Sequence, residues 1–543
     1  MVASDFRPIS LIGAQYKIIA KVLANRLACV IDTIISHEQS AFIKNRQILD
    51  GPLMVNEVIQ WCKRKKSKLM VFKIDFEKAF DSISWDFLIR VLQFMGFSDK
   101  WIKWISGCLS SASTSILING SPSREFSIHR GLRQGDPLSP FLFIIAMEGL
   151  HVAMEDAMAA SIYSGFCINN LSLSHLFFAD DALFIGDWSS NNIKCLVAIL
   201  DCFHKVSGLK INYHKSKLFG VGVSPNEISA LAATTGCSPL ASSFNYLGLP
   251  VDCNMSRVKS WDPIVEKFSS RLSRWRASLI SFGGRATLIS SVLGALGTYF
   301  FSLFPMPSLV DKKLESIRAK FFWGSTDSSH KVHWIRWKDV LASKDKGGLG
   351  IGSLYALNQA LILKWRWRFL TNPHALWARL ITAIYGHNKD PTSFFSHIKS
   401  KGVWSRIVGS INHLHEKNYI RLSSMKRQVN NGATTSFWYD SWADSSPLKS
   451  LFPRLFHLAT NKDSSVRENW QNGWNLAWVR NSFSGYNASQ LVILQNMISS
   501  IILNDSEDTW TWSLGGNFFT VRSARCQMDG EFLPDQGHST RWN

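Results

Sequence analysis

Phe178-Ala179-Asp180-Asp181 is the stretch that decides the fold of this 543-residue chain. Apolar runs flank it, His175-Leu176-Phe177 before and Ala182-Leu183-Phe184-Ile185 after. Two β-prone runs joined through adjacent aspartates predict a hairpin with two carboxylates at its tip. Neighbouring carboxylates repel each other, and a divalent cation such as Mg²⁺ is the usual reason for holding them together. An ordinary polar turn remains the alternative.

A second carboxylate follows another apolar run. Leu69-Met70-Val71-Phe72-Lys73-Ile74 ends at Asp75, after which the chain turns into a helix. This pattern predicts a buried strand that delivers Asp75 at its C-terminal end. A strand-end aspartate and a hairpin-tip aspartate suit two-metal phosphoryl transfer, in which carboxylates bridge two ions about 3.5–4 Å apart. The alternative is that Asp75 is a helix N-terminal residue that interacts favourably with the helix dipole, a role that fits Asp81 better.

The segment Arg130-Gly131-Leu132-Arg133-Gln134-Gly135-Asp136-Pro137 lies between the two acidic sites. Gly135 allows close approach of a ligand to the backbone, Gln134 offers an amide, and the two arginines offer charge to phosphates. Asp136 followed by Pro137 predicts a helix start, with a helical apolar pattern over residues 141–158. A basic loop that caps a helix is the alternative.

Seven motifs in a fixed order resemble the reverse transcriptase domain of LINE-type (non-LTR) retrotransposons, most closely the plant elements. They occupy residues 5–11, 36–42, 74–81, 133–137, 178–181, 208–212 and 246–248. The ordered set is far more specific than any one motif. The resemblance implies an α+β, right-hand polymerase fold with fingers, palm and thumb, followed by a mainly helical C-terminal region.

The resemblance also implies a catalytic centre. Asp75, Asp180 and Asp181 match the catalytic aspartates that bind two Mg²⁺ ions, for which Mn²⁺ can substitute. Asp75 and Asp180 match the residues that ligate the metal ions directly, and Asp181 matches a residue with a supporting role. Phe80 matches the bulky residue that packs under the incoming sugar and rejects a 2′-hydroxyl, with Phe76 also assigned to substrate binding. A core aromatic is the alternative for Phe80.

Further substrate contacts follow from the same resemblance. Gln134 and Gly135 match the loop that lines the nucleotide and the template. Lys44 and Arg46 look like the fingers residues that hold the triphosphate, and Lys215 looks like the lysine that protonates the departing pyrophosphate. Without the family, these last three residues are read as solvated charges. The implied partners are an RNA template, a DNA primer and deoxynucleoside triphosphates.

Composition agrees with a polyanionic partner, because the net charge is +20 and the pI about 9.6. Basic clusters occur at residues 63–66 and at Arg271, Arg274 and Arg276 around Trp275, and a solvated turn is the simpler reading of the first. The nine scattered cysteines predict a reducing compartment, and we expect a nuclear and cytoplasmic ribonucleoprotein rather than a secreted protein. Residues 287–310 carry no charge, but their one-sided apolar pattern predicts a packed helix and no membrane span.

The expected organisation has fingers at 1–68, palm at 69–253, thumb at 254–345 and a helical, Trp-rich region at 346–500. Residues 501–543 match the start of a zinc-binding-type segment, although Cys526 and His538 are too few for a four-ligand site. The chain looks cut at both ends relative to full-length elements, so nicking of a target site is not assigned to it. The alternative function is an inactive remnant that binds nucleic acid without chemistry.

Overall fold

The computed structural model describes residues 9–111, 113–240, 242–273, 279–325, 333–386, 401–444, 446–471, 473–480 and 482–540. Residues 5–8 of the first motif, and Arg274, Trp275 and Arg276 of the second basic cluster, lie outside the described residues. The chain divides into two compact units. One comprises Met1–Asp252 with Ala375–Ile384, and the other comprises Cys253–His374 with Tyr385–Asn543.

Helices and short strands alternate through the first unit. Its helices are α1 (Ala14–Ile34), α2 (Asp50–Lys65), α3 (Ala79–Ser82), α4 (Trp85–Phe94), α5 (Asp99–Ser110), α6 (Ser139–Ala159), α7 (Ser190–Ser207) and α8 (Pro225–Thr235). Its strands are β1 (Leu69–Ile74), β2 (Ser113–Thr114), β3 (Leu117–Ile118), β4 (Ser121–Pro122), β5 (Phe126–Ser127), β6 (Phe166–Ile168), β7 (Leu171–Leu173), β8 (His175–Phe178), β9 (Asp181–Gly186), β10 (Lys217–Val221), β11 (Ser238–Leu240), β12 (Phe244–Tyr246) and β13 (Leu249–Val251).

The second unit is mainly helical. Helix α16 (Leu376–Tyr385) belongs almost wholly to the first unit. The helices of the second unit are α9 (Asp262–Ser273), α10 (Phe282–Leu288), α11 (Gly294–Leu296), α12 (Thr298–Phe301), α13 (Ser308–Trp323), α14 (Trp337–Leu341), α15 (Leu354–Thr371), α17 (Val403–Glu416), α18 (Leu448–Leu451), α19 (Pro453–Leu458), α20 (Tyr486–Ser499) and α21 (Val521–Phe532). Its two strands are β14 (Met425–Gln428) and β15 (Thr509–Trp512).

A five-stranded sheet in the order β11-β10-β1-β9-β8 forms the centre of the first unit. The central strand β1 runs antiparallel to both β9 and β10. Five of its six residues are buried, as expected for an apolar strand covered on both faces, and Lys73 is the half-buried exception. Helices α1, α4, α6 and α7 contribute to the core packed on this sheet. The α+β class expected from the sequence is confirmed.

Helix α6 begins later than the sequence predicted. The Asp136-Pro137 pair predicted a start near residue 137, but the first helical residue is Ser139. The buried Asp136 carboxylate accepts a hydrogen bond from the Leu138 amide (2.9 Å) and another from the Tyr16 hydroxyl (2.7 Å). The side chain therefore closes a local turn before the helix and ties the loop to α1.

Several packing expectations can be checked directly. Residues 63–66 are exposed and end α2, in agreement with a solvated turn. Trp365 and Trp377 lie in the core, each 2% exposed. Residues 287–310 contain short helices interrupted by a π-helical turn at Ile289–Leu293, so one continuous helix is wrong. Within the described ranges, no helix is both long and apolar enough to cross a bilayer. All nine cysteines are free.

The C-terminal segment is packed into the second unit. Strand β15 pairs antiparallel with β14, and α21 packs against α15. The Arg525 guanidinium donates to the Ile351 carbonyl oxygen (3.0 Å), and the Ser353 hydroxyl donates to the Asp529 carboxylate (2.9 Å). Strand β15 and helix α21 thus pack against elements that precede them in the second unit, and the division at residue 501 stays a prediction.

Gly131→Ala should destabilise the first unit. Gly131 has φ +84°, and an added Cβ would lie 2.6 Å from the Asp81 carbonyl oxygen. The left-handed backbone costs about 1–2 kcal/mol for alanine, and the backbone clash adds about 1–3 kcal/mol. Urea unfolding, with hydrogen exchange of the β1 amides to report on this unit, measures the loss.

Gly96→Ala is the matched control, because Gly96 has φ +79° and nothing within 4 Å of an added Cβ. It should show only the backbone cost. Equal losses of unfolding free energy in the two variants would contradict the close approach of Gly131 to Asp81.

Candidate active site

Asp75 lies at the end of the central strand, next to the hairpin that the sequence predicted. In the β1–β9 register, Ile74 pairs with Ala182, so the next residues along, Asp75 and Asp181, meet at the same end of the two strands. The backbone of Asp75 is held on its other side. Its amide donates to the Ser216 hydroxyl (3.2 Å), and its carbonyl accepts from the Asn212 amide (2.8 Å).

Strands β8 and β9 form the predicted hairpin. Phe178 pairs with Asp181, which leaves Ala179 and Asp180 as a two-residue turn. Ala179 is buried and has φ +53°, a left-handed conformation that is uncommon for a residue with a Cβ. Asp180 and Asp181 are both half-buried and stand at the tip, as expected from the sequence.

Charge at this tip is concentrated and only partly balanced. Burial raises the pKa of Asp181, and the nearby carboxylates of Asp180 and Asp75 raise it further, whereas Lys73 lowers it. The Lys73 ammonium nitrogen is 3.7 Å from Asp181 Oδ1. The strand register places Asp75, Asp180 and Asp181 at one end of β1 and β9, and the carboxylates of Asp75 and Asp180 lie near enough to raise the pKa of Asp181.

Lys73 was not among the residues predicted from the sequence. The signal was present, because Lys73 and Asp75 are two residues apart on one strand and therefore face the same side of the sheet. A lysine inside an otherwise apolar run, on the face of a strand-end aspartate, predicts a contact with that acidic centre.

The converging carboxylates have the chemistry of a site for a hard cation. Oxygen ligands are what Mg²⁺ prefers, and all three aspartates remain half-exposed, so an ion can reach them from solvent. In the part of the chain that the structure describes, no group of three or more His, Cys, Asp or Glu side chains is placed so that it could hold a metal ion, and this includes the three aspartates. The fit therefore rests on the oxygen donors of the three carboxylates and on their position at one end of strands β1 and β9.

The two phenylalanines predicted to contact substrate differ in their surroundings. Phe80 is half-buried, and its ring stacks on the fully buried Phe143 ring, with centroids 4.4 Å apart and planes at 14°. A stacked ring with an accessible edge can act as a steric wall. Phe76 is only 6% exposed and belongs to the core, so substrate contact through its ring does not fit the structure.

Gln134 and Gly135 lie in a loop that is tied to its neighbours. The side-chain amide nitrogen of Gln134 donates to Asp81 Oδ1 (3.3 Å), and the backbone carbonyl oxygen of Gln134 accepts from the Ser10 amide (2.9 Å). Gly135 is exposed with φ +102°, a conformation that favours glycine. The arrangement leaves backbone at Gly135 open to a ligand.

Arg133 has a structural role instead of the predicted contact with phosphate. Its guanidinium lies 4.2 Å from the Tyr16 ring centroid, and it donates to the Tyr16 hydroxyl and to the Cys108 carbonyl oxygen (2.6 Å). The Asp136 carboxylate is 3.4 Å away. The donors and the charge of the Arg133 guanidinium are therefore satisfied by partners within the fold and are not available to a phosphate.

The three basic residues assigned to the triphosphate and pyrophosphate also differ. Lys44 is exposed, and Lys215 is exposed in the loop that holds the Asp75 backbone. The Arg46 side chain is 11% exposed and pairs with Asp32 (2.8 Å). Arg46 also donates to the carbonyl oxygens of nearby residues, so binding a triphosphate would require these bonds to break.

Comparison with known families decides what this site belongs to. Residues 3–251 match the family described as "Reverse transcriptase (RNA-dependent DNA polymerase)". Residues 3–251 are a reverse transcriptase domain. The right-hand polymerase class expected from the sequence is thereby confirmed. The ten residues assigned above to catalysis or substrate binding all fall within this domain, while their individual roles remain predictions.

Two of the relatives are named as proteins of transposable elements. The chain is 29% identical over 222 residues to the "Retrovirus-related Pol polyprotein from type-1 retrotransposable element R2" of Popillia japonica, a match covering 41% of this chain and 30% of that protein. It is 24% identical over 390 residues to the "Transposon TX1 uncharacterized 149 kDa protein" of Xenopus laevis, covering 70% of this chain and 29% of that protein. The chain thus spans less than a third of the length of either.

Among solved structures, the telomerase of Candida albicans in complex with a fragment of telomeric RNA aligns with a TM-score of 0.35 at 14% identity. The alignment covers 73% of this chain and 56% of the telomerase. The two sequence matches, and not this structural alignment, show that the chain is similar to proteins of non-LTR retrotransposons.

Asp181→Asn should raise the free energy of unfolding at neutral pH. Because the folded state raises the pKa of Asp181 above its ordinary value of 3.8, the folded protein holds this proton more tightly than the unfolded chain does. The resulting stability is present below pH 3.8 and is lost as the pH rises through the folded pKa. Asparagine does not titrate, so the variant should not lose this stability as the pH rises. Urea unfolding over about pH 4 to 8 measures the free energy of unfolding of both proteins.

Asp86→Asn, which changes an exposed carboxylate in the first turn of α4, is the control and should not raise the free energy of unfolding. An Asp181→Asn protein less stable than wild type at neutral pH would contradict the raised pKa of Asp181.

Proposed function

We propose that this chain is an RNA-directed DNA polymerase of a LINE-type, non-LTR retrotransposon of the plant type. It would extend a DNA primer with deoxynucleotides on an RNA template. The observation that supports this most is the convergence of Asp75 with Asp180 and Asp181 at one end of adjacent strands in a reverse transcriptase domain. The plant assignment rests on the motif set alone.

The proposed reaction transfers a nucleotidyl group. The primer 3′-hydroxyl gives its proton to water, a bond forms between its oxygen and the α-phosphorus, the bond from that phosphorus to the bridging oxygen breaks, and pyrophosphate leaves. Asp75, Asp180 and Asp181 would hold two Mg²⁺ ions, or Mn²⁺ in their place. When bound, such ions lower the pKa of the attacking hydroxyl and neutralise charge on the phosphates. Lys73 would limit the repulsion among the aspartates between turnovers.

Other residues would position and select the nucleotide. Phe80, held by Phe143, would exclude a 2′-hydroxyl. Gly135 and Gln134 would line the nucleotide and template, and Lys215, projecting from the loop beside Asp75, would give a proton to the departing pyrophosphate. Lys44 would contact the triphosphate from solvent. A triphosphate contact by Arg46 is the least supported of these roles, because its donors already have partners.

The proposed partners follow from charge and family. A net charge of +20 suits binding to nucleic-acid backbones, whose affinity falls steeply with salt. An RNA template and a DNA primer are the substrates that the proposed reaction needs. A ribonucleoprotein in the nucleus and cytoplasm is the localisation consistent with these partners.

Asp180→Asn should abolish primer extension on an RNA template. Loss of one ligand carboxylate removes several kcal/mol of transition-state stabilisation, a fall in rate of at least about a thousandfold. Extension by purified full-length protein with Mg²⁺ measures this, and Asp86→Asn should retain the wild-type rate.

Two outcomes separate the alternatives. Full activity of Asp180→Asn would refute the assignment of this carboxylate. Salt-sensitive RNA binding by wild type, with no extension under either Mg²⁺ or Mn²⁺, would favour the nucleic-acid-binding remnant instead.

Phe80→Ala should relax the discrimination between deoxynucleotides and ribonucleotides. Removing the ring opens space for a 2′-hydroxyl, and a steric contrast of about 1–3 kcal/mol corresponds to roughly tenfold or more in the ratio of kcat/KM values. Phe80→Tyr keeps the ring and should keep most of the discrimination. An unchanged ratio in Phe80→Ala would assign Phe80 to the core alone.

A further inference from the structure

Residues 36–40, here called the clasp segment, lie along β8, the edge strand that leads into the acidic hairpin. The Phe177 amide donates to the Glu38 carbonyl oxygen (2.9 Å), and the Ser40 amide donates to the Phe177 carbonyl oxygen (3.0 Å). Gln39 and Phe177 form a parallel bridge. The clasp segment therefore pairs with the hairpin directly before its turn.

The side chain of Gln39 extends this pairing into the turn itself. Gln39 is 1% exposed, and its Oε1 accepts from the Ala179 amide (3.1 Å) and from the Ala41 amide (3.0 Å). Ala179 is the first turn residue, and in a two-residue hairpin its amide points away from the strand ladder. A buried amide without a partner costs about 1–3 kcal/mol, so Gln39 Oε1 stabilises this turn.

The backbone at Ala179 needs that support. Its φ of +53° is left-handed, which costs a residue with a Cβ about 1–2 kcal/mol. Such a conformation persists only where surrounding contacts impose it. Because Asp180 and Asp181 follow directly, the direction of their carboxylates depends on the conformation of Ala179.

The clasp segment is itself held from two sides. Arg46 donates to the carbonyl oxygens of Ser36 and Gln39 (2.7 Å for Gln39). Ser36 donates to the Glu148 carboxylate on α6 from its amide and from its hydroxyl, both at 3.1 Å. Arg46 thus holds Gln39 directly through its backbone carbonyl oxygen, and Glu148 holds it through Ser36.

We propose that Gln39 is a positioning residue for the catalytic centre. Its Oε1 holds Ala179 in the left-handed turn and thereby aims Asp180 and Asp181 toward Asp75, and Arg46 acts through the same segment instead of on the triphosphate. Gln39 touches no reacting atom. The inference deepens the proposed function and rests on it for its consequence in catalysis, while the contact with Ala179 can be tested separately.

The first test needs no activity. Gln39→Met keeps the length of the side chain but removes the acceptor. Hydrogen exchange of full-length protein should show faster exchange of the Ala179 amide in this variant, with β1 amides unchanged. Gln93→Met, at an exposed position on α4, is the matched control. Wild-type protection of the Ala179 amide in Gln39→Met would overturn the proposal.

The second test measures the consequence for catalysis. The Mg²⁺ concentration that half-saturates primer extension should rise about 10–100-fold in Gln39→Met, as for other residues that orient metal ligands. Affinity for the primer–template duplex should stay at the wild-type value. If Gln39→Met lowers only the fraction of active protein and keeps the Mg²⁺ dependence of wild type, Gln39 has a folding role alone. That result would contradict the proposal.

A second substitution tests the route through Ala179. Ala179→Gly removes the cost of the left-handed backbone, so adding it to Gln39→Met should recover part of the shift in Mg²⁺ dependence. No recovery would contradict this route. If wild type itself fails to extend a primer while the exchange result holds, the proposed function fails and the positioning contact stands.

Discussion

The antiparallel pairing of β1 with β9 is the interaction on which the rest of the site depends. It brings together two acidic positions that are more than a hundred residues apart in the chain. A slip of one residue in this register would turn Asp75 and Lys73 to the opposite face of the sheet, because side chains alternate along a strand. The apolar residues of β1, buried on both faces, oppose such a slip.

This arrangement concentrates negative charge where the sheet ends. Burial raises the pKa of Asp181, the carboxylates of Asp180 and Asp75 raise it further, and Lys73 lowers it. Contacts on either side of the strand pair then hold the geometry: Asn212 and Ser216 at the Asp75 backbone, and Gln39 at the turn. Apolar packing of the sheet supplies the stability that the acidic tip lacks.

Much of this architecture could be predicted from sequence, because strand ends and hairpin turns leave local patterns. The apolar run before Asp75 and the paired runs around Asp180 and Asp181 marked both strands, and their ordered motifs indicated the family. The direction in which a side chain points in the folded protein leaves no such pattern in the sequence. Arg46, Arg133 and Phe76 have the chemistry of substrate ligands, but their contacts turn them into the protein.

Long-range contacts explain the remaining differences. Gln39 stood in a recognised motif, yet its contact with Ala179 joins residues 140 positions apart. The packing of α21 on α15 likewise depends on pairings such as Ser353 with Asp529, which no local pattern indicates.

Iron-directed cleavage tests the central claim most directly. With Fe²⁺ and ascorbate replacing Mg²⁺ in the full-length protein bound to primer, template and deoxynucleotide, hydroxyl radicals cut the backbone nearest the bound ion. Convergence of the three aspartates predicts two cut sites, one near Asp75 and one near Asp180 and Asp181, both lost in Asp180→Asn. Cleavage at only one of these segments, or cuts that persist in the variant, would contradict it.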